Sequence, residues 1–177
     1  KISAAHLGVL GYLILACSSL GEALVRMDRY GRLIDDAIEM QIRQIDDQIE
    51  LSWPPLLTPA DAVLVELGVA AVVQFARNIT GQHAAMTAVG FAHWHEGAMQ
   101  PYRQFFGCIP SFSQPATFLR FPIAYLSLPL RQPDAVLLDI LEMQANQALA
   151  LLPRTDVFLQ DVRRLLIRFC REGAPTL

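Results

Sequence analysis

The hydrophobic pattern of this chain changes its period along the sequence, and that change limits the folds the chain can adopt. Residues 20–34 carry apolar side chains at helical spacing, whereas residues 37–53 alternate between apolar and polar side chains. Helical spacing indicates an amphipathic helix, and alternation indicates a strand with one buried face. Because the aspartate pair at 46–47 interrupts the alternation and the proline pair at 54–55 ends it, the segment is predicted to be a β-hairpin.

Helices are predicted on both sides of this hairpin. The SLGE segment at 19–22 is a capping box, with Ser at the N-cap and Glu three residues later. The TPAD segment at 58–61 marks a second helix start, with Thr as the cap and Pro at the first helical position. Pro133 begins a further helix, and Pro153 ends it. The predicted helices cover residues 7–17, 19–34, 59–79, 98–106, 133–152 and 155–171.

The remaining apolar segments are predicted to be strands. Residues 85–94 carry apolar side chains at both odd and even positions, which is typical of a central strand covered on both faces. Residues 109–112 and 117–121 are predicted to be shorter strands. The order of the elements predicts an α+β domain with a central, mostly antiparallel sheet of about 4–5 strands, packed with helices and followed by a C-terminal helical pair.

The composition argues against some classes of function. Hydrophobic residues make up 53% of the chain and charged residues only 18%, against about 25% charged on average, which favours a deep pocket or a buried partner surface. The net charge is −3, whereas a domain that binds nucleic acid by itself carries a basic surface. No membrane span is expected, because the longest uninterrupted apolar run, residues 7–17, is shorter than the roughly 20 residues required.

Recognised catalytic and cofactor-binding motifs are absent from the sequence. It contains no G-x-S-x-G nucleophile motif, no phosphate loop and no G-x-G-x-x-G fingerprint. We therefore expect neither an enzyme nor a bound cofactor. The cysteines at 17, 108 and 170 are odd in number and lack the paired spacing of a zinc site, so they are expected to be reduced thiols in a cytoplasmic protein.

The segment FAHWHEGAMQPYRQFFGCIPSF at 91–112 holds the side chains best suited to chemistry. His93 and His95 are two residues apart, so on a strand they would point the same way and could share a metal ion with Glu96. A catalytic zinc site needs three protein ligands, and the other candidates form no recognised pattern, so no metal is predicted. The histidines are expected either to form hydrogen bonds within the core or to contact a ligand.

Aromatic side chains from two segments are expected to form a cluster. Its predicted members are Trp53, Trp94, Tyr102, Phe105 and Phe106. Two interpretations fit such a cluster. The first is ordinary core packing of large apolar side chains. The second is the wall of a pocket against which an apolar or planar small molecule lies.

Several short motifs occur in a fixed order along the chain. They are GYL at 11–13, SLGEAL at 19–24, YGRL at 30–33, FAH at 91–93, YR at 102–103, FGC at 106–108 and Phe112. In this order they resemble the N-terminal effector domain of AraC/XylS-type bacterial transcription regulators, a domain often labelled arabinose-binding. The resemblance covers residues 7–171, and it implies a domain that senses a small organic effector and forms a homodimer.

The resemblance also implies how the chain is organised. Residues 1–153 would form the effector-sensing α+β domain, and residues 154–177 would form a helix leading to a helix-turn-helix DNA-binding domain outside this chain. The expected partners are a small organic effector, a second copy of the chain and, only through that further domain, DNA. Neither a cofactor nor a membrane is expected, and the expected location is the cytoplasm.

The effector is expected to enter between the sheet and the helix at 59–79. A carboxylate on the effector would need Arg103 or a histidine as its partner. The candidate ligand-binding residues are Tyr12, Trp53, Phe91, His93, His95, Tyr102, Arg103 and Phe106. Two other hypotheses stay open, namely a small metal-assisted hydrolase centred on His93, His95 and Glu96, and a dimerisation module without a ligand.

Overall fold

The computed structural model of the chain describes residues 4–34, 40–54 and 62–152. These residues form α-helices, β-strands and short 3-10 helices. The α-helices are α1 (Gly8–Ala16), α2 (Leu20–Tyr30), α3 (Ala62–Thr80), α4 (Gln100–Phe106) and α5 (Ala135–Leu151). The strands are β1 (Gln41–Ile45), β2 (Gln48–Trp53), β3 (Ala88–Gly90) and β4 (Thr117–Pro122). The 3-10 helices are Ala4–Leu7, Gly31–Leu33 and Ile123–Ser127.

The four strands form one antiparallel sheet in the order β1-β2-β4-β3. The predicted hairpin is present as β1 and β2, joined at a turn where Asp46 adopts a φ of 53°. Aspartate tolerates this left-handed conformation better than most residues do. The predicted α+β class and the mostly antiparallel sheet of about 4–5 strands are therefore confirmed.

The alternation of side chains gives the sheet one apolar face and one polar face. Leu51 pairs with Leu119 across β2 and β4, and both are buried together with Val69 and Val73 of α3. On the opposite face, the Arg120 Nε donates to a Glu50 carboxylate oxygen at 2.8 Å. The apolar face is the one that positions α3 over the sheet.

A second apolar core lies among the helices. Leu10, Leu13 and Tyr30 are fully buried there, and α1 packs closely against both α2 and α5. Gly11 permits a close approach within this core, because a Cβ at that position would lie 2.0 Å from the Ala4 carbonyl oxygen. The apolar run that the sequence shows at 7–17 is therefore a buried helix of the domain.

The start of α2 follows the predicted capping box with one change. Ser19 Oγ accepts a hydrogen bond from the Glu22 backbone N–H at 3.2 Å, as predicted for the N-cap. The Glu22 carboxylate, however, accepts from the backbone N–H (2.6 Å) and the hydroxyl (2.7 Å) of Ser18 instead of reaching the N–H of Ser19. These two bonds, the backbone one above all, lower the pKa of Glu22.

The prediction of a central strand at 85–94 is wrong, because β3 is short and lies at the edge of the sheet. It pairs with β4 on one side, and on the other it forms a single parallel bridge from Gly90 to Ser111. The strand predicted at 109–112 is reduced to this bridge, since Pro110 has no N–H to donate and Ser113 turns the chain with a φ of 57°.

Helix α5 begins later than predicted, and a different stripe faces inward. Asp134 is its N-cap, and the Asp134 Oδ1 accepts from the backbone N–H of Leu137 at 3.0 Å. Leu138 and Ala145 are the buried positions, whereas Leu137, which helical spacing places on the same face as Ala145, is exposed. When a helix is apolar on most sides, the spacing of its apolar residues does not indicate which side is buried.

Two of the cysteines lie within the described residues, and both are free thiols. The Cys17 thiol donates to the Leu13 carbonyl oxygen, and burial raises the pKa of Cys17 to about 11. Burial also raises the pKa of Cys108. Both are therefore protonated and poorly nucleophilic at neutral pH.

Some predictions fall outside the described residues. They are the start of the hairpin at 37–39, the helix start at Thr58, the end of α5 at Pro153, the helix at 155–171, the cysteine at 170 and the segment 154–177 as a whole.

One helix of the described ranges, α3, has the length and apolar composition of a membrane span, with 19 residues. The core helix of a globular domain passes the same test. In this fold Val69 and Val73 pack against the sheet, and Arg77 donates hydrogen bonds to neighbouring backbone carbonyls. The expectation that no membrane is involved stays a prediction.

Candidate functional site

A large cavity lies between the sheet, α2 and α3. Its volume is about 560 Å³, within the range of pockets that hold small molecules. The apolar face of β2 and β4 forms its floor, with Leu51, Leu119 and Phe121. The cavity occupies the place predicted for effector entry, between the sheet and the long helix.

Two helices supply the walls of this cavity. On α2, the stripe Leu20, Leu24 and Met27, which helical spacing predicts to lie on one face, lines it. On α3, the lining positions fall in the second half of the helix. These positions are Ala71, Val72, Val73, Phe75, Ala76, Arg77, Ile79 and Thr80. The wall residues are mostly aliphatic or aromatic, so the cavity suits an apolar body.

Three charged side chains line the cavity among the described residues: Asp28, Arg32 and Arg77. Asp28 and Arg32 are exposed, whereas Arg77 is partly buried. The Arg77 Nη2 donates to the carbonyl oxygens of Phe105 (2.7 Å) and Ala84 (3.2 Å), and its guanidinium lies over the Phe105 ring. The Arg77 Nε is buried and has no hydrogen-bond partner.

Burial alone lowers the pKa of Arg77, and no neighbouring carboxylate offsets this shift. A guanidinium nevertheless stays protonated in proteins. Other partly buried arginines of the described ranges pair with carboxylates: Arg26 with Glu142 at 3.0 Å, and Arg120 with Glu50 at 2.8 Å. Arg77 therefore carries a positive charge at the cavity wall that no carboxylate of the described residues balances.

A second group of polar side chains gathers around Glu66, near the start of α3, and we call Glu66, His93, His95 and Tyr102 the Glu66 cluster. The Glu66 carboxylate lies 2.8 Å from His93 Nε2 and accepts from the Tyr102 hydroxyl at 2.7 Å. His95 Nδ1 lies 3.5 Å from the same hydroxyl. The cluster ties α3 to α4 and to the loop that follows β3.

Aromatic rings surround the Glu66 cluster. Phe91 is fully buried, and its ring centroid lies 5.3 Å from that of His93 and 5.4 Å from that of Phe112. The ring of His95 stacks on Phe112 at 4.7 Å. His95 fits beside Gly97, where an added Cβ would come within 2.7 Å of the His95 Nε2. The rings and hydrogen bonds together leave the cluster closely packed.

The hydroxyl of Tyr102 holds its proton more tightly in this cluster than a free tyrosine does. Burial, followed by the hydrogen bond to Glu66 and the charge of Glu66, raises the pKa of Tyr102 to about 12. The hydroxyl therefore stays a donor at any physiological pH.

The eight predicted ligand-binding residues are divided among several places. Trp53 lines the cavity. His93, His95 and Tyr102 belong to the Glu66 cluster, and Phe91 and Phe106 are buried beside it. Tyr12 is half exposed on α1, and Arg103 is exposed on α4. Whether any of them binds a ligand stays a prediction.

The strand predicted to carry His93 and His95 does not reach them, because β3 ends at Gly90 and both histidines lie in the loop beyond it. Both imidazole rings contact Phe112, and they reach Glu66 and Tyr102 separately. Within the described part of the chain, no group of three His, Cys, Asp or Glu side chains is placed to hold a metal ion.

Sequence reasoning did not select Glu66 or Arg77 as functional. A signal was present, because both are charged residues on an otherwise apolar helix. Charges at such positions are bonded internally or face a cavity, because an unpaired buried charge is costly.

Residues 1–130 match the family described as the arabinose-binding, N-terminal domain of AraC transcription regulators. The chain belongs to this family. It is 30% identical over 164 residues to the ornithine utilization regulator of Pseudomonas aeruginosa, an alignment that covers 90% of this chain and 48% of that protein. The chain thus spans about half the length of this curated relative.

A solved structure supports the same fold. The transcriptional regulator CdpR from Pseudomonas aeruginosa superposes with a TM-score of 0.64 over 99% of this chain and 58% of that one, at 13% identity. The family consists of transcription regulators, so the chain is a regulatory domain and not an enzyme. The resemblance inferred from the ordered motifs is therefore confirmed, and the hydrolase hypothesis is set aside.

Proposed function

We propose that this chain is the effector-sensing and dimerising part of a cytoplasmic transcription regulator, and that its effector binds in the cavity between α2, α3 and the sheet. The cavity carries the proposal, because about 560 Å³ of space with mostly apolar walls is unusual inside a closely packed domain. Ligand binding in this cavity would favour one arrangement of α2 and α3 over another, as any switch requires.

The proposed output is a helix-turn-helix DNA-binding domain beyond residue 177, reached through residues 154–177. The family membership supports this arrangement, as does the fact that the chain covers only 48% of its curated relative. The net charge of −3 also fits a sensing domain that leaves DNA contacts to another domain.

Ornithine is a natural compound to test, because the name of the relative refers to ornithine utilization. Free ornithine carries two ammonium groups, which need acceptors when they leave water. The carboxylate that lines the cavity within the described residues is that of Asp28, which is exposed. We therefore expect ornithine to bind this cavity weakly.

The proposal is tested by the melting temperature of the purified 177-residue chain in a panel of sugars, amino acids, and fatty and aromatic acids. An effector at 100 times its dissociation constant adds about 2.7 kcal/mol, or roughly 5–10 °C for a domain of this size. Ala76→Phe, which fills the cavity from α3, is the matched control and should abolish the shift. A panel without any shift in the native chain would contradict an effector site.

Dimerisation is proposed to use the outer face of α5. Val136 (72% exposed), Ile140 (49%) and Met143 (62%) recur there at helical spacing, opposite the buried Leu138 and Ala145. Apolar side chains that form a stripe on a helix surface are typical of a helix–helix interface.

Sedimentation velocity of the native chain and of Ile140→Glu tests this interface. The native chain should sediment as a dimer at micromolar concentration, and the new charge should shift it to monomer. Gln44→Glu adds the same charge on the exposed hairpin and should leave the dimer intact. A native chain that stays monomeric, or an Ile140→Glu variant that stays dimeric, would remove α5 as the dimer face.

A further inference from the structure

We propose that the effector is an apolar monocarboxylic acid, whose carboxylate pairs with Arg77 while its hydrocarbon body lies between α2, α3 and the sheet. This inference rests on the proposed sensing function and names the chemical class of its ligand. It follows from two features of the same cavity. The cavity is mostly apolar, and one of its walls carries a guanidinium that pairs with no carboxylate of the described residues.

The first observation is that no carboxylate of the described residues pairs with the charge of Arg77. Its Nη2 is satisfied by the carbonyls of Ala84 and Phe105, but carbonyl oxygens do not neutralise a positive charge. Arg26 also has an unbonded Nε, yet Arg26 pairs with Glu22 and Glu142. The feature that distinguishes Arg77 is therefore the missing carboxylate. Its fixed planar donors match a carboxylate better than a neutral group.

The second observation concerns the rest of the wall, which selects against other ligand classes. A sugar would place several hydroxyls against Leu24, Val72 and Phe121 in a wall that has few uncharged polar side chains, and each unpaired hydroxyl is costly to bury. A cation would be repelled by Arg77. A dianion would have to bury a second carboxylate next to apolar side chains, since the other charged wall residues, Asp28 and Arg32, are exposed.

The third observation is that the position of Arg77 suits a switch. Its side chain joins α3 to the Ala84 carbonyl and to the Phe105 carbonyl in the last turn of α4. A carboxylate that competes for the same guanidinium would change these contacts. A ligand that binds here would therefore make different contacts in the arrangement that keeps these hydrogen bonds and in an arrangement of α3 and α4 that loses them.

Isothermal titration calorimetry with three probes of equal chain length tests the inference on the native 177-residue chain at neutral pH. The probes are sodium octanoate, 1-octanol and octylammonium chloride, each used below the concentration at which it aggregates. Octanoate should bind roughly 10- to 100-fold more tightly than 1-octanol, as expected for hydrogen bonds to a charged group. Octylammonium should bind more weakly than either.

Two variants locate the carboxylate. Arg77→Gln should reduce octanoate affinity to that of 1-octanol without changing 1-octanol affinity, and Arg77→Lys should restore part of the difference. Arg131→Gln removes an exposed arginine that does not line the cavity, and it should leave all three affinities unchanged. If Arg77→Gln fails to fold, the affinities of the three probes for the native chain still show whether the cavity prefers a carboxylate.

Equal affinities for octanoate and 1-octanol would overturn the inference while leaving the cavity as an effector site. Failure of all three probes to bind would also overturn it, and the wider melting panel would then decide separately whether the chain senses another class of molecule. Unchanged octanoate binding by a folded Arg77→Gln variant would equally reject Arg77 as the partner.

Discussion

The two halves of α3 face different kinds of surroundings. Near its start, Glu66 accepts from Tyr102 at 2.7 Å and lies 2.8 Å from His93, inside a shell of aromatic rings. Near its end, Ala76 and Arg77 border a cavity of about 560 Å³. The first region has little space, and its polar groups are bonded to one another except for the buried His95 Nε2. The second has space and a positive charge that no carboxylate of the described residues balances.

Side chains suited to chemistry and space for a ligand therefore lie in different parts of this domain. Each of the histidines and the tyrosine that invite a functional interpretation uses one polar atom on another member of the cluster or on Glu66, and the buried His95 Nε2 has no hydrogen-bond partner among the described residues. A ligand there would have to replace bonds already made, and leaving a buried group unpaired costs about 1–3 kcal/mol. The aliphatic wall of the cavity imposes no such cost on an apolar ligand.

Truncation of a ring should therefore cost most near the Glu66 cluster. Phe91→Ala removes a fully buried ring and should lower the free energy of unfolding by about 3–5 kcal/mol, measured by urea denaturation. Phe75→Ala removes the same ring at the cavity wall, where fewer atoms contact it, and should cost at least about 1 kcal/mol less. Equal losses would mean that the two regions are packed alike.

The polar bonds of the Glu66 cluster should show a smaller but measurable effect. Glu66→Ala leaves His93 and Tyr102 without their shared acceptor and should lower the free energy of unfolding by about 1–3 kcal/mol. In a double-mutant cycle with Tyr102→Phe, the two effects should be coupled by about 0.5 kcal/mol or more. Additive effects would show that the 2.7 Å hydrogen bond contributes nothing.

The pKa of Tyr102 gives a pH test of the same cluster. Folding raises this pKa from about 10 to about 12, so the folded state holds the proton more tightly than the unfolded state does. The resulting stability is complete below about pH 10 and is lost as pH rises from about 10 to about 12. Tyr102→Phe should flatten this part of the stability profile, and an unchanged profile would contradict the assignment.

Filling the cavity should have the smallest effect on stability. Ala76→Phe places a ring in existing space, so the free energy of unfolding without ligand should change by no more than about 1 kcal/mol. The melting temperature should therefore change by only a few degrees. Val69→Phe on the packed part of α3 is the matched control and should be clearly destabilising. Similar losses in both variants would show that the cavity is closed in solution.

Most of the fold could be predicted from the sequence because the relevant signals are local. The alternation at 37–53 predicted the hairpin, and the helical spacing of apolar residues at 20–34 predicted the amphipathic helix whose Leu20, Leu24 and Met27 line the cavity. The helix predicted at 98–106 ends where Gly107 adopts a φ of 86°. Strand order is not local, so apolar residues on both sides of β3 suggested a central strand where the structure has an edge strand.

The candidate site was less predictable, since a cavity results from distant elements that do not fill the space between them. Trp53 was expected near the ligand and lines the cavity. The aliphatic wall from α2 and α3 looks like ordinary core in the sequence, and nothing local marks Arg77 as lacking a carboxylate partner. That property depends on which acidic residues the fold leaves far away.

The two tryptophans of the chain offer the most direct test of where the effector binds, because Trp53 lines the cavity and Trp94 is the chain neighbour of both histidines of the Glu66 cluster. Trp94 is 67% exposed. Trp94→Phe and Trp53→Phe give single-tryptophan reporters for a fluorescence titration with the compound that raises the melting temperature most. If the effector binds in the cavity, the emission of Trp53 should change in a saturable way and the emission of Trp94 should not change. A saturable change in Trp94 emission with unchanged Trp53 emission would place the effector at the Glu66 cluster and contradict binding in the cavity.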